Sequence, residues 1–174
     1  SILDHTKARL PWLVLALLGG FISVRVLGLF EGAMLDHGKL FFFTPLIAAM
    51  AGNVGVQSSA IIVQGLANNT LSGSLFNRLV KEVSLSLLNG VILAIILFLG
   101  SHFLLNVEFI IGIIVTIALI SVIIIASLIG TFIPLLLDKF GIDPALATGP
   151  FITTSNDICG ILIYFSIAKI ILGF

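Results

Sequence analysis

The stretch Asp143-Pro144-Ala145-Leu146-Ala147-Thr148-Gly149-Pro150-Phe151-Ile152-Thr153-Thr154-Ser155-Asn156-Asp157 decides the fold. It opens an apolar segment that runs on to Gly173, with Asp157 near the middle. Asp143 caps and Pro144 starts a helix: the carboxylate accepts from free backbone N–H groups, and the fixed φ of proline suits a first turn. A helix crosses the hydrocarbon of a bilayer with roughly 20 apolar residues, and this segment is long enough. A carboxylate at that depth costs about 3 kcal/mol on insertion scales, so such groups face an ion path or a partner.

Around that acid, Gly149, Thr153, Asp157 and Gly160 recur every three or four residues, with Thr154 and Asn156 beside them. Pro150 cannot donate to the carbonyl of Leu146 and crowds that turn. A kink or broken turn is therefore expected just below Asp157, aiming free carbonyl oxygens into the bundle. Disrupted backbone is tolerated at membrane depth only where it lines a cavity or is covered by protein. One carboxylate with hydroxyls, amides and carbonyls makes an all-oxygen site, which suits hard divalent cations. Mg²⁺ fits first, because it keeps most of its waters and needs only one or two carboxylates. Mn²⁺ and Co²⁺ remain open, whereas stripping Ca²⁺ to protein oxygens would need more acids than this interior holds. Asp157 is the candidate metal-binding residue, and Gly149, Thr153, Thr154 and Asn156 are candidate ion-pathway residues.

Composition agrees with a membrane chain. Of 174 residues, 59% are hydrophobic and only 9% charged, against roughly 25% charged in a soluble domain. Mean hydropathy is +1.29. Eight Lys and Arg balance eight Asp and Glu, which leaves no basic surface for nucleic acid. The single cysteine, Cys159, lies in an apolar run and excludes a disulfide framework. No signal peptide is visible, since the first apolar run is too long and lacks a small-residue cleavage site. The chain opens without an initiator methionine, so a membrane domain cut from something larger is expected.

Five spans are predicted, making an all-α polytopic membrane protein. The first runs from Pro11 and Trp12 to about Met34, with Arg25 and Glu31 near its far end snorkelling or paired. A tight polar loop, Leu35 to Leu40, leads to the second, about Phe41 to Ala67. There Ala49, Asn53, Gln57, Ala60 and Gln64 share one helix face, a polar stripe that turns away from lipid. Asn53 and Gln57 either line a path or act as interhelical hydrogen-bond glue. After the loop Asn68 to Ser74, whose Asn68-Asn69-Thr70 sequon is read as coincidence, the third span covers about Phe76 to Leu105. Glu82, Ser86, Asn89 and Gly90 form its polar stripe. The fourth, about Val107 to Leu137, is the most apolar. Pro134 is expected to bend its end, and Ala126 with Gly130, or Ser127 with Thr131, has the spacing for close packing.

With the amino end inside, Lys7, Arg9, Arg78, Lys81 and Lys139 face the cytoplasm, and Lys39 and Lys169 face outward. The expected location is the inner (plasma) membrane, multi-pass, with a cytoplasmic N-terminus. His37 and His102 stand alone and make no metal site. Enzyme chemistry is not supported: there is no His-Glu-x-x-His pair, no second intramembrane Asp for a protease dyad and no Gly-x-Ser-x-Gly elbow. One Asp per chain becomes two if the pathway lies on a two-fold axis.

These motifs resemble the transmembrane domain of the MgtE family of magnesium channels and transporters. The resemblance rests on Asp143-Pro144-Ala145, on Gly149-Pro150-Phe151-Ile152-Thr153-Thr154, and on Asp157 with Gly160 and Ile163-Tyr164-Phe165. It extends to Pro45-Leu46 and Gly52-Asn53-Val54-Gly55-Val56-Gln57-Ser58, to Lys81-Glu82 with Leu88-Asn89-Gly90, and to Leu10-Pro11-Trp12. It implies a homodimer with a pore along its axis, Asp157 as the central Mg²⁺-binding aspartate assisted near Thr153, and Asn53 lining the path. Residues 1–174 would be one ion-conducting domain, without the paired CBS domains that regulate family members. Val56 stands where the family commonly has Asn. The reading is a domain passing divalent cations in a lipid bilayer. Its alternatives are a proton-coupled divalent-cation exchanger and a non-transporting membrane assembly subunit.

Overall fold

The computed structural model describes residues 1–71 and 73–174, and within them every side chain except those of Met34, Leu146, Ala147 and Thr148. The helices are α1 (Ile2–Gly28), α2 (Glu31–Asp36), α3 (Gly38–Phe42), α4 (Thr44–Ala67), α5 (Leu75–Phe103), α6 (Phe109–Lys139) and α7 (Pro144–Leu172). Among the described residues, five stretches are long and apolar enough to cross a membrane: α1, α3 continued by α4, α5, α6, and α7 from Gly149 onward. The ends follow local chemistry. Asp143 accepts from the Ala145 N–H at 2.9 Å, with Pro144 in the first turn of α7. The Ser74 hydroxyl accepts from the Asn77 N–H at 3.3 Å and caps α5. Asn69 adopts a φ of 51° after α4, in the left-handed region that Asn enters more readily than most residues.

Two boundaries differ from the sequence expectation. Pro11 does not open the first helix but sits inside it, and α1 ends at Gly28 rather than near Met34. The stretch Leu35 to Leu40, expected as a polar loop, is largely helical, with α2 and α3 meeting at His37. Aromatic packing bears on both the end of α1 and the Leu35 to Leu40 stretch. Phe30 stacks on Phe165 at 5.1 Å between ring centroids, and the buried Tyr164 hydroxyl donates to the Leu40 carbonyl at 2.7 Å. Those contacts turn the chain back on the bundle before α1 has exhausted its apolar run. Pro134 lies buried within α6, which continues to Lys139.

α6 is the most enclosed helix, with α4, α5 and α7 packed around it and α1 outside against α7. Burial of apolar surface does little to hold helices together in lipid, where close van der Waals packing and interhelical hydrogen bonds do the work. The seams here are built accordingly. Gly130 of α6 lies against the Gly55 backbone of α4, where an added Cβ would run into the Gly55 carbonyl. Gly90 of α5 sits against Ile120, whose Cα would be 3.6 Å from a Cβ at that position. The Ser86 hydroxyl of α5 donates to the Ser127 hydroxyl of α6 at 2.6 Å. Leu13, Leu17, Phe21 and Ile96 point outward on the lipid side.

Candidate ion pathway

α4 and α7 run antiparallel along one flank of the bundle. Gly160 lies beside Ala51, Gly52 beside Thr153, and Gly55 beside Ile152 and Asn156. Helical spacing then divides α4 into two faces. Ala51, Gly52, Gly55, Ser58 and Ser59 are buried, while Ala49, Asn53, Val56, Gln57, Ala60 and Gln64 are exposed on the isolated chain.

The exposed face forms one wall of an open cavity of about 790 Å³. Asn53 and Gln57 of α4, Asn89 of α5, and Thr153 and Asp157 of α7 line it together. Ala49 and Gly52 leave it wide by having almost no side chain. A smaller depression of about 260 Å³ adjoins it through Val56 and is lined by Ala60, Gln64, Ala145 and Gly149. The two lie end to end along the α4–α7 seam.

Asp157 is half-buried on the cavity wall. Among the described residues no cation lies within salt-bridge distance of its carboxylate and no side chain hydrogen-bonds to it. Arg25 is elsewhere, in a separate depression with Glu31 at the end of α1. No group of three or more His, Cys, Asp or Glu able to enclose a metal ion occurs among the described residues. The arrangement offers a lone acid surrounded by neutral oxygen and nitrogen groups. Chemically, so few ligands suit a hard cation that keeps its own waters better than one stripped by a protein cage.

The other expected pathway residues divide. Thr153 and Asn53 join Asp157 on the cavity, and Gly149 lines the adjoining depression. Thr154 instead faces α1, filling the space above Gly19. Asn156 is buried at 1% exposure against Gly55, behind α4, and neither its Nδ2 nor its Oδ1 has a hydrogen-bond partner. One residue of helical rotation separates Asn156 from Asp157, and it carries the amide away from the cavity. Of the kink or broken turn expected at Pro150, the break is corrected: α7 is continuous from Pro144 to Leu172, with Pro150 inside it. The Thr153 hydroxyl donates to the Gly149 and Pro150 carbonyls at 3.0 and 3.2 Å, tying this turn together. The Leu146, Ala147 and Thr148 side chains of that turn lie outside the described residues.

Asn89 belongs to the cavity without having been expected in a pathway, and Gln57, expected either to line a path or to act as interhelical glue, lies on the cavity wall. Each stands in a polar stripe of the sequence, but only the packing of α4, α5 and α7 around α6 brings Asn89 and Asp157 to one cavity. The rest of the third-span stripe does different work. Glu82 accepts from the Ser58 hydroxyl at 2.6 Å, while Ser86 and Gly90 are buried against α6.

An all-helical bundle with five stretches long and apolar enough to cross a membrane among the described residues, and a polar, acid-bearing cavity on one flank, is that of a polytopic membrane domain. The chain belongs to the MgtE family, described as divalent cation transporters, whose profile matches residues 44–167. It is 38% identical over 161 residues to the magnesium transporter MgtE of Bacillus subtilis, covering 92% of this chain and 36% of that protein. The magnesium transporter MgtE of Enterococcus faecalis is 37% identical over 177 residues, covering 99% and 38%. That of Thermus thermophilus is 33% identical over 171 residues, covering 95% and 36%. The chain thus spans 36–38% of the length of these curated relatives.

Proposed function

We propose that this domain conducts Mg²⁺ across the plasma membrane as a largely hydrated ion that passes Asp157. The observation that carries the reading is the Asp157 carboxylate, without a cation partner among the described residues, on a cavity shared with Asn53, Gln57, Asn89 and Thr153. The names of the relatives point to the same cation. Size is consistent with it. Six waters in an octahedral shell occupy about 180 Å³ at about 30 Å³ each, and the cavity holds about 790 Å³. The amides and the Thr153 hydroxyl exchange hydrogen bonds with the shell, while Asp157 supplies the charge that lowers the cost of a cation at this depth. The membrane potential supplies the force, about 4.6 kcal/mol per 100 mV for a divalent ion.

A polar face on α4 cannot rest against acyl chains. The occupant that fits is a second copy of the chain related by a two-fold axis, which closes the cavity into a pore and brings a second Asp157 to it. In this arrangement residues 1–174 form one ion-conducting domain with its N-terminus in the cytoplasm. Mn²⁺ and Co²⁺, with the same oxygen preference, are candidate competing cargoes.

The test is Asp157→Asn, which keeps size and polarity and removes charge. Mg²⁺ uptake into proteoliposomes, read with an entrapped indicator at clamped voltage, is expected to fall to background. Membrane insertion and the thermal midpoint should be unchanged. Wild-type flux in that variant would remove Asp157 from the mechanism, and flux that strictly follows an imposed pH gradient would replace the channel with a proton-coupled exchanger.

A further inference from the structure

At the opposite end of the α4 face, away from Asp157, a second depression of about 460 Å³ lies between the last turns of α4 and the first turns of α5. Its composition is graded. Thr70, Ser74 and Asn77 line its outer end, Arg78 and Lys81 its middle, and Ile61 and Leu85 its inner end. The position along the membrane normal follows from length. α5 has 29 residues, while the hydrocarbon takes roughly 20 residues, so about four extend beyond it at each end. Leu75 to Arg78 therefore lie at the headgroup level, and Lys81 lies one turn deeper, within snorkelling reach of it. Ile61 and Leu85, at 62% and 47% exposure, continue into the lipid-facing surface.

Charge follows the same gradient. Glu82, the acid in this depression, is turned toward α4 and held by the Ser58 hydroxyl at 2.6 Å. Among the described residues no carboxylate lies within salt-bridge distance of Lys81. The N-terminal end of α5 adds the positive end of its helix dipole to the two cations. Polar, then cationic, then apolar from interface to core is the order of groups on a phospholipid: headgroup, phosphate, acyl chain.

We propose that this depression is a binding site for an anionic phospholipid, with the phosphate at Arg78 and Lys81 and an acyl chain along Ile61 and Leu85. The proposal is independent of the role given to Asp157. Near a membrane surface each Lys or Arg contributes about 1 kcal/mol toward anionic lipid, which corresponds to about fivefold in affinity.

The experiment titrates the purified, detergent-solubilised protein with fluorescent phosphatidylglycerol. Unlabelled phosphatidylglycerol, phosphatidylcholine and inorganic phosphate serve as competitors. Phosphatidylglycerol is expected to displace the probe, and the other two are not. Lys81→Gln should weaken binding about fivefold and Arg78→Gln with Lys81→Gln about 25-fold. Lys81→Arg should retain it, as should Lys169→Gln at the far end of the chain and Asp157→Asn. Because Lys81 is exposed, the single variant keeps the test decisive even if the double variant fails to fold. Unchanged affinity in Lys81→Gln, equal displacement by phosphatidylcholine, or displacement by free phosphate would each overturn the assignment.

Discussion

On one side of α4, Asn53 and Gln57 look into a cavity with room for a hydrated ion. On the other, Gly55 approaches α6 and α7 so closely that a single methyl group would not fit. Both sides use the same device, small or polar residues at helical spacing, and the outcomes are opposite. Where α5 and α7 stand apart, the polar groups meet open space. On the closed side, Ile152 and Asn156 of α7 fill the space that the missing Gly55 side chain leaves, and the Gly55 carbonyl occupies the space beside Gly130 of α6. A small-polar stripe in a membrane helix is thus not itself a pore signature. Its meaning is set by whether a neighbouring backbone closes on it.

Substitutions on either side of α4 can break that contrast. The largest effect is expected at Asp157→Asn, where transport should vanish with the closed joint undisturbed. Next is Gly130→Ala, whose methyl meets the Gly55 carbonyl. Forcing volume into a packed seam costs about 1–3 kcal/mol, and a lowered thermal midpoint by fluorescence-detected gel filtration is the check. Gly55→Ala should destabilise by clashing with Asn156, and Asn156→Ala should relieve much of it. A double-mutant cycle is expected to show coupling of about 0.5–3 kcal/mol between these contacting residues, and strict additivity would mean the two side chains do not share the space. Gln57→Leu, on the cavity side, should lower Mg²⁺ flux severalfold without moving the thermal midpoint. Ser86→Ala should be mildest, about 0.6 kcal/mol, the mean for hydrogen bonds between membrane helices. Ser127 keeps its bond to the Ile124 carbonyl at 2.9 Å and is not orphaned.

Much of the architecture was legible residue by residue. Long apolar runs separated by Asn, Gly and charge can only be spans, and Asp143-Pro144 marks the start of α7 in both readings. Boundaries set by packing were less visible. Nothing in the run beyond Gly28 announces that α1 stops there, because the reason is Phe30 stacking on Phe165 from the other end of the chain. The cavity divides in the same way. Asp157, Asn53 and Thr153 stood out as polar groups at membrane depth, and they meet on one wall. Thr154 and Asn156 carried the same polarity but face α1 and the α4–α6 joint.

By itself the sequence determined the solvent, the number of spans and the one acid deep inside them. Those depend on the transfer cost of each side chain, a property local to the residue. Which polar face opens and which closes was decided by tertiary structure alone. A helix face is opened or sealed by how near another backbone comes, and that distance is set by glycines on a different helix.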